Sequence, residues 1–257
     1  MGRVISVFNQ KGGVGKTTTV VNLAAALGNS GVTALVVDVD PQGNASSGLG
    51  VEKQSLQGSI YDLLLGQLQT KEVLLQTEHK GVWILPTTHD LAGLEVELVL
   101  MENREGRLKG VLEPIRDQFD FILIDCPPSL GQLSINALVA SDSVLIPIQA
   151  EYYALEGVSQ LMATVERIRA GLNPHLEIEG VLISMFDGRN NLAIEVVEEV
   201  KKYFKDKVFK TVIPRNIRVA EAPSYGQSVV EYDEKSKGAI AFMKLAKELL
   251  RQNKKGR

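Results

Sequence analysis

Two lysines five residues apart sit in one glycine-rich run, Gln10-Lys11-Gly12-Gly13-Val14-Gly15-Lys16-Thr17-Thr18. Gly15-Lys16-Thr17 has the make-up of a phosphate cradle. In such a loop backbone N–H groups surround phosphates, the lysine reaches the outer ones and the hydroxyl binds Mg²⁺. The ordinary pattern has glycine six positions before that lysine. Here Gln10 stands there, and Lys11 follows as a second cation on the same turn. One nucleotide does not need both cations from one chain. A lysine on the loop rim can reach phosphates held by a neighbouring copy, so the spacing points to a nucleotide-dependent dimer.

Two further segments carry carboxylates where strands should end. Val37-Asp38-Val39-Asp40-Pro41-Gln42-Gly43-Asn44 places two aspartates two positions apart, so they point the same way from an extended chain. One can hold the water shell of a metal and the other can orient an attacking water; the bland reading is an Asp/Asn-rich turn. Phe121-Ile122-Leu123-Ile124-Asp125 is an apolar run closed by an acid, followed by Cys126-Pro127-Pro128-Ser129. A carboxylate after four apolar residues matches the second Mg²⁺-site motif of phosphate-loop enzymes. Cys126, the only cysteine, has no assignable activating base and reads as a core residue.

Placing these groups requires alternating strands and helices. Apolar, β-branched runs predict strands at 3–9, 33–38, 82–86, 120–125, 143–148, 178–184 and 208–213. Helical periodicity predicts helices at 17–29, 59–65, 91–98, 105–117, 131–139, 153–170, 190–204 and 237–251. Continuous apolar strands imply burial on both faces, hence an α/β fold with a doubly wound, mainly parallel sheet flanked by helices. One domain over 1–251 is expected, with 252–257 a polar, frayed tail, and with loops at 40–52 and 214–233. The first helix would aim its positive N-terminus at the phosphates.

KGGVGKTT, DVDPQGN and IDCPPSLG together resemble the ParA family of partition ATPases, most closely its small chromosomal branch. The similarity continues through the segment Pro147 to Glu156, within IPIQAEYYALE, and through IPRNIRVAEAPSYG at 213–226, and so covers nearly the whole chain. It implies a phosphate-loop NTPase of the deviant type, with ATP and Mg²⁺, acting as an ATP-sandwich homodimer. In that frame Lys11 crosses to the partner's nucleotide and Gly12 lets the loops approach. Gly13, Val14, Gly15, Lys16, Thr17 and Thr18 complete the phosphate loop. Thr17 and Asp125 serve the metal, with Asp38 in its water shell, and Asp40 is needed for hydrolysis. The resemblance also implies an adenine pocket with Pro214 and Asn216, Met185 nearby, and DNA-binding arginines at Arg189 and Arg218. A proline-punctuated loop is the plain alternative for 214–216.

Net charge is −3, which alone speaks against nucleic acid. Its distribution speaks for it: 187–257 carries 16 basic and 10 acidic side chains, while the rest carries 12 and 21. A basic end of this kind suits DNA phosphates, and Lys201, Lys202, Lys235, Lys237, Lys254 and Lys255 can add contacts. Solvated helix faces are the commoner cause of such runs. No recognition-helix signature is present, so binding would be sequence-independent. The resemblance adds a ParB-type partner that stimulates hydrolysis and a place in the cytoplasm, on the nucleoid.

The runner-up is a MinD-like cell-division ATPase, which needs an amphipathic membrane-seeking C-terminus. The segment Gln252–Arg257 contains no apolar anchor, so no membrane partner is expected. A nitrogenase-reductase-like electron carrier would need more cysteines. A non-enzymatic DNA coat would not need the aspartates of the water site. No secretory leader precedes the first strand, and no N-terminal operator-binding domain is expected.

Overall fold

A computed structural model describes the chain from residue 2 to residue 255, except 152–153; the side chains of 152–156 and 254–257 also lie outside the description. The proposed contacts of Lys254 and Lys255, and part of the family segment 147–156, therefore fall outside the described residues.

Seven strands form one sheet in the order β3-β4-β2-β5-β1-β6-β7. They are β1 (Arg3–Val7), β2 (Ala34–Asp38), β3 (Leu75–Gln76), β4 (Val82–Leu85), β5 (Phe121–Asp125), β6 (Ser143–Gln149) and β7 (Glu177–Ser184). All neighbours run parallel except the two-residue edge strand β3, which is antiparallel to β4. The helices are α1 (Lys16–Asn29), α2 (Asn44–Gly48), α3 (Ile60–Leu65), α4 (Thr70–Val73), α5 (Leu91–Val99) and α6 (Arg107–Leu112). They continue with α7 (Gln132–Ala140), α8 (Ala154–Gly171), α9 (Asn191–Phe204), α10 (Ile217–Glu221), α11 (Val229–Tyr232) and α12 (Lys237–Lys255).

Alternate strand residues feed two cores. Val4, Leu35, Val37, Ile122, Ile124, Val144 and Ile146 pack on the face covered by α3 and α5 to α9. Ile5, Val7, Ala34, Val36, Leu123 and Leu145 pack on the face covered by α1 and α12. Strands buried on both faces need apolar side chains at every position, which is why they read as unbroken runs. From β1 the chain crosses to β2 on one side, while β5 leads to β6 on the other. Loops therefore diverge at the C-terminal ends of these strands, where open α/β sheets bind ligands.

Five expectations about elements change. Residues 208–213 do not form a strand. Val208 makes a single parallel bridge with Val181. The Phe209 and Ile213 amides still reach β7, at the Val181 and Ile183 carbonyls (2.9 Å each), but between them the Lys210 and Thr211 amides go to a carboxylate on α12, Glu248 Oε1 and Oε2, at 2.7 and 2.9 Å. With the middle amides taken by a side chain, the two contacts with β7 cannot join into a continuous ladder. The loop 40–52 contains α2, because Asp38 accepts the Ser46 amide and so satisfies its first turn. The loop 214–233 contains α10 and α11, and Asn216 caps α10 by accepting the Arg218 amide at 2.9 Å. The 105–117 helix stops at Leu112 and tightens into a 3₁₀ turn over Glu113–Gln118, since Pro114 has no N–H to continue it. Finally, α12 runs to Lys255, past the expected end at Arg251.

Candidate active site

The loop after β1 is held from both sides. Asn9 donates to the Pro147 carbonyl at 2.8 Å and accepts the Lys11 amide at 3.0 Å. On the far side the Ser184 hydroxyl donates to the Val14 carbonyl at 2.8 Å. Gly13 and Gly15 adopt φ of 74° and 88°, in the left-handed region where a side chain would be strained. Gly15 is the N-cap of α1 and contributes no side-chain cap, so the first N–H groups of a 14-residue helix face the loop. Gly12 and Gly13 have open space where a Cβ would stand.

The two lysines differ in setting. Lys16 is 7% exposed and its ammonium donates to the Lys11 carbonyl at 3.2 Å, inside the curl of the loop. Burial pulls its pKa down, while the Asp125 charge opposes that shift. Lys11 is half-exposed on the rim and pairs with Glu151 at 2.8 Å, an acid steadied by Gln149 through Oε1. Thr17 and Thr18 open α1 half-buried, and Val14 is buried beneath the loop.

The carboxylates gather at the ends of β2 and β5. Asp38 and Asp125 are register neighbours in the sheet, and both are fully buried. Asp38 is committed within the protein: Oδ2 accepts the Ser46 amide and hydroxyl at 2.8 and 2.7 Å, and Oδ1 the Asp40 amide at 3.3 Å. Burial raises its pKa to about 6 against these bonds. Neither oxygen of Asp125 has a partner in hydrogen-bonding geometry. Burial and the Asp38 charge push its carboxyl well above the usual range, and the nearby Thr17 hydroxyl offsets part of this. A buried carboxylate without a donor, beside a threonine hydroxyl and a buried ammonium, fits a hard divalent cation with phosphate. Of the two aspartates proposed for the metal, Asp125 has free oxygens and Asp38 chiefly positions α2 and the turn carrying Asp40. Asp40 is nearly buried, and its Oδ1 holds the Gln42 amide at 3.0 Å. Cys126 is fully buried and its thiol pKa is pushed up, chiefly by burial, so it is a core residue.

A model of the AAA domain family matches residues 2–178. The chain is 55% identical over 249 residues to the sporulation initiation inhibitor protein Soj of Bacillus subtilis (strain 168), spanning 97% of this chain and 98% of that one. It is 52% identical over 253 residues to the chromosome partitioning protein ParA of Myxococcus xanthus, spanning 98% and 89%. The chain belongs to the ParA/Soj family. Among solved structures it resembles a cobyrinic acid a,c-diamide synthase from Mycobacterium smegmatis bound to an ATP analogue and magnesium. That likeness has a TM-score of 0.88 and 38% identity over 100% of this chain and 98% of that one.

The remaining ParA/Soj-type candidates divide into those the fold gathers and those it spreads. A parallel bridge between Phe186 and Pro214 lays the 185–189 turn beside the 214–218 segment. Met185, Pro214 and Asn216 thus lie on adjoining segments, the first of them directly after Ser184, which meets the phosphate loop at Val14; Met185 has φ of 49°, a conformation disfavoured for its side chain. Arg189 and Arg218 project from the same two segments. Lys201 and Lys202 lie in the last turn of α9, about 15 Å along its axis from the Arg189 end. Lys235 and Lys237 are exposed at the start of α12. Sequence reasoning missed Asn9, Ser46, Glu151 and Ser184. Only Glu151 lies within a quoted family segment, and the roles of all four depend on strand register and helix placement.

Proposed function

We propose that this chain is a chromosome-partitioning ATPase that works as an ATP-dependent sandwich dimer on DNA. The observation that carries it is the lysine pair in the folded loop, one buried and one on the rim, in a chain about half identical end to end to Soj and ParA proteins. The residues of this site divide the work. Lys16 and the α1 N-terminus bind the outer phosphates of ATP. Asp125, with Thr17, would hold Mg²⁺, which supplies charge neutralisation at the phosphates. The nucleotide-binding set is Gly12, Gly13, Val14, Gly15, Lys16, Thr17 and Thr18, with Met185, Pro214 and Asn216 against the adenine. Lys11 leaves Glu151 and reaches the nucleotide of a second copy. Asp40 orients the water, its turn fixed through Asp38 and Ser46.

Dimerisation doubles Arg189, Arg218, Lys201, Lys202, Lys235 and Lys237 on one assembly. Affinity for DNA depends on how many phosphates are met, so the dimer binds and the single chain does not. Hydrolysis, stimulated by a ParB-type protein, opens the sandwich and releases the DNA. The protein works in the cytoplasm on the nucleoid. Among the described residues no helix is long and apolar enough to cross a membrane. The test is DNA binding with and without ATP. Arg189→Glu with Arg218→Glu should lose DNA and keep the ATP dimer, and unchanged DNA affinity would refute the basic-face part of the reading. Vesicle flotation with ATP separates the MinD-like alternative.

A further inference from the structure

Lys11, Arg189, Arg218 and Lys202, four of the cations assigned to other molecules, are held by acids of their own chain. The clearest case is Arg189. Asp187 takes it by three bonds: the Arg189 amide to Oδ1 at 3.1 Å, Nε to Oδ1 at 2.9 Å and Nη2 to Oδ2 at 2.6 Å. Two parallel bonds from a guanidinium to one carboxylate form the fork that also suits a phosphate. The Arg189 side chain is nonetheless 91% exposed, so a ligand can approach it from solvent. The Asx turn through the Arg189 amide keeps Asp187 in place beneath it. Other charges on the face are also engaged. Arg218 meets Glu221 at 2.9 Å and Asp233 at 3.5 Å, and Lys202 pairs with Glu199.

We propose that Asp187 is a built-in competitor for Arg189, a carboxylate that a DNA phosphate must displace before the arginine can bind DNA. The proposal rests on the DNA-binding reading above and adds its regulation. Neutralising a DNA phosphate with a free arginine releases a condensed cation. When Asp187 is displaced, its carboxylate is left beside the phosphates and retains a cation in turn. The gain from that contact is reduced and so is its salt dependence. The device keeps each arginine contact weak, so the assembly depends on the sum of contacts that only a dimer provides.

The test uses the full chain with a nonhydrolysable ATP analogue and a duplex of arbitrary sequence, titrated between about 50 and 200 mM salt. Asp187→Asn removes the charge but keeps the Oδ1 acceptor for the Arg189 amide. It should bind DNA more tightly at the low-salt end. Its log–log salt slope should be steeper by about 0.9 per protomer, about 1.8 per dimer, so its advantage over the parent shrinks about twelvefold across that range. Asp187→Ser, which also offers a short acceptor, should move the same way. Arg189→Gln should weaken binding and flatten the slope. If Arg189→Gln weakens binding while both Asp187 variants match or fall below the parent, Asp187 only positions the arginine and the competitor role is overturned. If all three variants match the parent, this face does not meet DNA and the proposal falls with that reading. Sedimentation with the analogue confirms that each variant still forms the parent's assembly.

Discussion

Removing the hydroxyl of Ser46 should lower folding stability by about 3 kcal/mol. Ser46 is fully buried, and its hydroxyl serves two partners. It donates to Asp38 Oδ2 at 2.7 Å and accepts the Thr87 amide at 3.1 Å. A bond to a charged group contributes about 1.5–3 kcal/mol, and a buried amide left without an acceptor costs about 1–3 kcal/mol. Their sum is an upper bound, since α2 can relax towards Asp38 through the Ser46 amide, which alanine retains. The lost donor also raises the pKa of Asp38 further, because the Ser46 bonds are what hold it down against burial. Urea denaturation of Ser46→Ala, with the m-value checked for constancy, reads the loss directly. A loss under about 1 kcal/mol would refute the assignment of this hydroxyl as the joint between β2, α2 and the Thr87 loop.

Lys16→Ala should abolish the thermal stabilisation that Mg²⁺–ATP gives the parent, which at a hundredfold excess over Kd is about 2.7 kcal/mol; a retained shift would remove Lys16 from the phosphate site. Asp40→Ala should keep ATP-dependent assembly and lose hydrolysis, leaving a persistent DNA-bound form. Phosphate release at the parent rate would contradict the role of Asp40. Glu248→Ala should cost about 1–2 kcal/mol and expose the Lys210 and Thr211 amides to hydrogen exchange, because that carboxylate is their acceptor. Unchanged protection there would mean that 208–213 is held by something else.

The sequence displays the sheet and the phosphate loop because both follow local rules. A strand buried on two faces, such as Phe121–Asp125, must be apolar throughout, and a loop wrapped on phosphates must carry glycines at positive φ. The failures share a different cause. Residues 208–213 have strand composition, and the arrival of Glu248 from the other end of the chain diverts the Lys210 and Thr211 amides in their middle. The same holds at Asp38 and Asp125, which look equivalent as strand-end acids. Their difference lies in Ser46, whose α2 folds back onto Asp38 alone. Pairing of Arg189 with Asp187 was within local reach, two positions apart, yet the Asx turn that closes it depends on the turn geometry.

Lys11 is the residue on which the functional account turns. Sedimentation of the parent and of Lys11→Ala, each without nucleotide, with ADP and with ATP, measures its role most directly. The account predicts a parent that pairs only with ATP, and a variant that binds ATP yet sediments as a single chain throughout. A variant that pairs with ATP as the parent does would contradict it.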